Sequence, residues 1–257
     1  MINWLIPAFL FVFGAVIGSF LNVCIIRVPE NKSIVYPASH CPSCKTPIAF
    51  YDNIPLISYV LLAGRCRQCK TPISFQYFFV ELLTPIITLV LYFSFGFSPA
   101  GALAALFCYV LLVITVIDLQ HQIIPDSISI PCIPLCLLSS MVLPWTDLKD
   151  SLIGIVLGGG ILYLVAQAYY LVRKEEGMGG GDIKLLAMIG AFLGWKGALI
   201  SLMVGAFSGT LAGIAMMLVR GKNLKYALPF GPFLSLGAFC ALLWGNAILY
   251  WYTHLGA

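Results

Sequence analysis

Apolar runs long enough to cross roughly 30 Å of hydrocarbon recur along this chain, and a helix is what such a run becomes in a bilayer. Eight can be drawn, over residues 4–26, 75–95, 99–117, 128–143, 152–172, 183–193, 198–219 and 230–252. The first carries no charge until Arg27 and starts Met1-Ile2-Asn3. It exceeds the apolar core of about 7–15 residues of a signal peptide and lacks its basic start, so it reads as a retained helix. The run over 183–193 is short and meets the next through Gly194-Trp195-Lys196-Gly197, while Pro131 and Pro134 should kink the fourth. Hydrophobic residues make up 61% of the chain and charged residues 9%, about a third of the share usual in water-soluble domains, so an ordinary soluble core is excluded. The fold class is an all-α polytopic membrane protein of about eight transmembrane helices.

Eight spans assign the loops alternately to two sides. Arg27, Lys32, Lys45, Arg65, Arg67, Lys70, Arg173, Lys174, Lys184, Arg220, Lys222 and Lys225 then share one side, leaving Lys149 and Lys196 opposite. By the positive-inside rule the crowded side is cytoplasmic, and both termini lie on the other. Merging the sixth and seventh spans would spoil this bias. The net charge of +4 is thus a matter of topology; no basic stripe with interleaved aromatics points to nucleic acid. Three parts follow: a first helix (1–27), a polar cytoplasmic loop (28–74) and a helical core (75–257).

The polar loop contains Cys41-Pro42-Ser43-Cys44 and, after twenty-one residues, Cys66-Arg67-Gln68-Cys69. Two such knuckles present four thiolates to one tetrahedral ion, which makes Cys41, Cys44, Cys66 and Cys69 ligands of a structural zinc with no open position for water. Disulfides do not suit a reducing cytoplasmic side, and a redox pair needs a single knuckle. Cys24, Cys108, Cys132, Cys136 and Cys240 sit in apolar runs as small core residues.

Carboxylates at membrane level need a function or a partner, since a charge at mid-bilayer costs about 2.5–3.5 kcal/mol. Asp182 closes the turn Gly179-Gly180-Gly181-Asp182, and Asp118 ends the third run. Two facing acids on different helices share one proton, so that one activates a water and the other polarises a carbonyl, as in aspartyl proteases. Asp126 competes for the partner's place, but after Pro125 it suits a helix cap, whereas Asp118 can face a bundle interior. His121, between them, reads as a solvated loop residue. Glu81, inside the second span, has two open readings: acceptor of a substrate amine, or partner of Asn22 or a helix hydroxyl. Gly158-Gly159-Gly160 suits close helix packing.

The residues also resemble a known family. Gly18-Ser19-Phe20-Leu21-Asn22-Val23 with Arg27-Val28-Pro29, Tyr36-Pro37-Ala38-Ser39-His40 before the first knuckle, Asn53-Ile54-Pro55 with Ser58-Tyr59 before the second, Ile117-Asp118 with Pro125-Asp126, and the GxGD-type turn ending at Asp182 look like type IV prepilin peptidases, in the family's order. The resemblance implies a bacterial inner-membrane enzyme whose catalytic acids are Asp118 and Asp182. It would remove the basic leader of prepilins or pseudopilins, then methylate the new amino terminus with S-adenosylmethionine; no residue is assigned to that cofactor. Two other classes remain: an ion-coupled transporter, for which intramembrane acids would be the pathway, and a pilus or secretion scaffold needing the cysteine loop alone. No inverted repeat favours the transporter, and a scaffold has no use for paired acids.

Overall fold

The computed structural model describes residues 4–175, 179–220 and 228–254. The loop bearing Lys222 and Lys225 and the turn residues Glu176 to Met178 fall outside them. Among the described residues the chain is helical, with isolated two-residue bridges in place of strands. It divides into two compact units, residues 1–109 and 110–257.

In the first unit, α1 (Leu5–Arg27) packs along α3 (Phe75–Phe95), the two joined by the cysteine module with its five-residue helix α2 (Ile57–Leu61). Close approach is bought with small side chains: a Cβ at Gly14 would lie 2.6 Å from the Pro85 backbone, and one at Gly18 would lie 2.9 Å from that of Glu81. Farther along, Asn22 Nδ2 donates to the Tyr77 carbonyl. The pairings 14 with 85, 18 with 81 and 22 with 77 make the helices antiparallel. Ser74 caps α3 by accepting from the Gln76 amide. Thr84 and Thr88 return their hydroxyls to the carbonyls one turn back, which satisfies them in an apolar setting, and Thr88 also meets the Tyr109 hydroxyl at 2.7 Å.

The second unit holds the end of α4 (Pro99–His121), α5 (Asp126–Ser139), α6 (Leu148–Arg173), α7 (Gly180–Arg220) and α8 (Gly231–Thr253). At 41 residues α7 would be about 60 Å long if straight, twice the hydrocarbon thickness. It is broken at Gly194, whose φ of 71° is open to glycine and strained for other residues. Gly154 and Gly190 back onto one another, and Gly158 abuts the Leu186 carbonyl, so α6 runs antiparallel to the first arm of α7. Gly205 faces Phe233 and Gly237 faces Ser201, so α8 runs antiparallel to the second arm. Ile124 touches both Gly181 and Gly231, which sets the starts of α7 and α8 at one level; the second arm therefore returns toward the level where the first began.

The eight apolar segments read from the sequence are all present, the sixth and seventh as the two arms of α7. Among the described residues six helices are long and apolar enough to cross a membrane; α5, at 14 residues, is shorter and runs through both Pro131 and Pro134.

Candidate active site and cysteine module

Asp118 lies one turn before the end of α4, which stops when Gln122 enters the left-handed region at φ 54° and donates its amide to the Asp118 carbonyl. Non-helical residues follow to Pro125, and α5 starts at Asp126. Ile124, in this connection, fills the gap between the two glycines that open α7 and α8. A Cβ at Gly181 would lie 2.8 Å from that of Ile124, so the third glycine of the turn is sterically required. A Cβ at Gly179 or Gly180 would meet nothing within 4 Å, so that side of the turn leaves an open approach.

Asp182 sits in the first turn of α7, half-buried, and lines the same cleft of about 230 Å³ as Asp118, Gln122, Ile123, Gly179 and Gly181. Asp118 is 5% exposed, and its Oδ2 accepts the Gly231 amide at 2.9 Å from the N-terminus of α8. That bond fixes the carboxylate and leaves Oδ1 for a proton or a water. The larger groove along Leu5, Ile6, Phe9, Leu10 and Phe97 is lined by apolar side chains and offers no chemistry.

Asp126 does not cap α5 as expected: the N-cap position is Pro125, and the Asp126 carboxylate is turned to Lys184 Nζ at 2.6 Å. The physical reason is proximity, since Lys184 lies half a turn beyond Asp182 and offers a full charge. His121 is exposed at the end of α4. Glu81 accepts from the Leu56 amide at 2.8 Å, while Asn22 binds elsewhere. Gly231 and Lys184 went unassigned in the sequence reading. A Gly-Pro step opening the last apolar run was the available signal for the first; a lysine two residues from Asp182 was that for the second.

The cysteine module is built twice over. Cys41-Pro42-Ser43-Cys44-Lys45-Thr46 and Cys66-Arg67-Gln68-Cys69-Lys70-Thr71 repeat one turn, in which the first cysteine's amide donates to the threonine carbonyl and its own carbonyl accepts from the lysine amide. Lys45 and Lys70 take positive φ of 58° and 57° to close it. The four sulfurs lie within 4.8 Å of one another, with Cys41 to Cys69 at 3.7 Å and Cys44 to Cys66 at 4.0 Å. Tetrahedral zinc with bonds of about 2.3 Å separates its sulfurs by about 3.8 Å, so the donor set fits that ion. The Thr71 hydroxyl, 3.2 Å from Cys69 Sγ, and the Thr71 backbone bring that thiol down to about 6, toward the thiolate a metal needs. Alongside, Arg67 grips Asp52 through two bonds of 2.6 and 2.7 Å and holds its carboxyl below the usual range.

Comparison with known proteins follows the same division of the chain. The profile of the bacterial peptidase A24 N-terminal domain matches residues 12–95, and that of the type IV leader peptidase family matches residues 105–214. Proteins described as prepilin leader peptidase/N-methyltransferase are similar throughout. The one from Aeromonas salmonicida is 37% identical, covering 97% of this chain and 94% of its own. Those from Pseudomonas aeruginosa and Legionella pneumophila are 34% and 33% identical, covering 91% and 98% of this chain and 89% and 98% of theirs. No solved structure matches.

Proposed function

The chain belongs to the type IV leader peptidase family, and from that membership and the cleft we infer that it hydrolyses the leader of prepilin or pseudopilin substrates with Asp118 and Asp182. The observation that carries this reading is the convergence of two acids from α4 and α7 on one cleft, with the Gly231 amide on Asp118. One carboxylate, ionised, takes a proton from a water as that water attacks the scissile carbonyl. The other, protonated, hydrogen-bonds the carbonyl oxygen and then supplies the proton that leaves with the new amine. The two exchange protonation states over the cycle. Gly231 holds the Asp118 carboxylate in one orientation throughout, and the open side at Gly179 and Gly180 admits an extended segment.

Methylation of the released amino terminus is proposed from the same membership, with S-adenosylmethionine as methyl donor; no side chain is assigned to it. Cys41, Cys44, Cys66 and Cys69 would hold one zinc ion, which supplies folding energy to residues 28–74 and takes no part in hydrolysis. The membrane is the bacterial cytoplasmic one, with that module and the acid cleft inside and both termini outside, as the distribution of basic residues favours.

The test is incubation of the purified protein in liposomes with a prepilin, read by mass spectrometry. The expected product lacks the leader and, with S-adenosylmethionine added, gains one methyl group at its new amino terminus. An uncleaved prepilin would remove the reading's main support.

A further inference from the structure

The short helix α2 carries its large aliphatic side chains on the wrong face for a water-soluble module. Ile57, Val60 and Leu61 stand at i, i+3 and i+4, hence on one side, and are 56%, 64% and 78% exposed. On the other side Ser58 is buried, bonded to the Tyr51 carbonyl, and the Tyr59 ring lies 5.4 Å from that of Phe78 in α3. Solvent contact for such a face is unfavourable, and no described residue covers it.

The depth of α2 says what does. With 21 residues α3 is about 31 Å long, so it needs its full length to cross the hydrocarbon and begins near its edge at Phe75. Glu81 is the seventh residue of α3, and helical side chains lean toward the N-terminus, so its carboxylate lies about a turn inside that edge. The Leu56 amide donates to it at 2.8 Å, in the entry to α2. Leu56 is held there at φ 63°, a conformation a leucine keeps when its surroundings fix it. Tyr59 against Phe78 places the next turn beside the same part of α3. The antiparallel partner α1 meanwhile leaves through Arg27, whose guanidinium donates to the Ser33 and Pro37 carbonyls, as befits the polar boundary.

We propose that α2 is a membrane-interface element, with Ile57, Val60 and Leu61 seated among the headgroups and upper acyl chains of the leaflet on the cysteine-module side. Charge supports a lipid occupant. Residues 28–74 carry five basic and two acidic side chains, and Arg65, four residues after Leu61 and past the turn at Ala63 and Gly64, is exposed, with a side chain long enough to reach anionic phosphates. The cysteine module is thereby tied to the bilayer at three places, α1, α3 and α2.

The test is photocrosslinking in liposomes of phosphatidylethanolamine and phosphatidylglycerol, with p-benzoylphenylalanine placed singly at Leu61, at Val60, at Phe9 on α1 as a lipid-facing reference, and at exposed Ser43 in the first knuckle. Zinc content equal to that of the unsubstituted protein certifies each module as folded, and Val60 serves if the Leu61 variant fails this check. The expected result is a phospholipid adduct at Leu61 or Val60 several-fold above the Ser43 yield. Lipid adducts no more abundant than at Ser43, or crosslinks solely to a second copy or a substrate protein, would overturn the proposal. The readout does not involve peptidase activity, so it stands apart from the fate of the proposed reaction.

Discussion

The Asp118 carboxylate is 5% exposed and receives the Gly231 amide at 2.9 Å, so a side chain at position 231 acts directly on the proposed catalytic acid. A Cβ there would lie 2.7 Å from Oδ2, closer than the two can approach. Gly231→Ala should therefore displace the acid by a few tenths of an ångström or more, lowering kcat about 10- to 100-fold with little change in KM, zinc content or insertion. A wild-type kcat would show that the contact is not used. Asp126 sets the contrast. Its ion pair with Lys184 joins side chains 58% and 37% exposed, and such pairs contribute about 1 kcal/mol or less. Asp126→Asn should retain cleavage within about tenfold of wild type, measured at saturating prepilin; loss comparable to that of Asp118→Asn would move the dyad to Asp126.

The elements differ in how plainly their sequences announce them. The two knuckles were legible because metal coordination ties ligand spacing to geometry, and the repeated Cys-Lys-Thr ends supply the matching turns at Lys45 and Lys70. Cys66→Ser should drop zinc from one equivalent to near none, lower the thermal midpoint and expose residues 28–74 to proteolysis, while Asp118 and Asp182 stay chemically intact. Unchanged zinc by elemental analysis would contradict the assignment. The break in α7 was legible as two glycines in a four-residue span, of which Gly194 takes the positive φ. The end of α5 was not. Its apolar run continues to Leu143, and hydrophobicity alone does not register that backbone bonds tighten into turns from Ser140 onward. Asp126 was misread for a related reason: a residue after proline looks like a cap until a lysine 58 positions away comes within 2.6 Å.

At the scale of the whole molecule, membrane spans and family were readable from apolar runs and motif order, while the tertiary supports of the site were not, because Ile124, Gly181 and Gly231 meet only after folding. The proposed orientation predicts that an impermeant thiol reagent reaches a cysteine beside Lys149 or Lys196 from outside intact cells, and reaches one beside Lys70 or Lys222 after permeabilisation. Labelling beside Lys222 from outside would break the alternating topology. Asp118 and Asp182 are proposed to act together, because neither carboxylate alone can be base and acid in one cycle. The most direct measurement of that joint action is the rate of prepilin leader removal by Asp118→Asn and Asp182→Asn in liposomes, with zinc content and insertion verified. Each variant should lose cleavage by several orders of magnitude, and the double variant should lose no more than either single one. Cleavage at the wild-type rate by either single variant would contradict joint action.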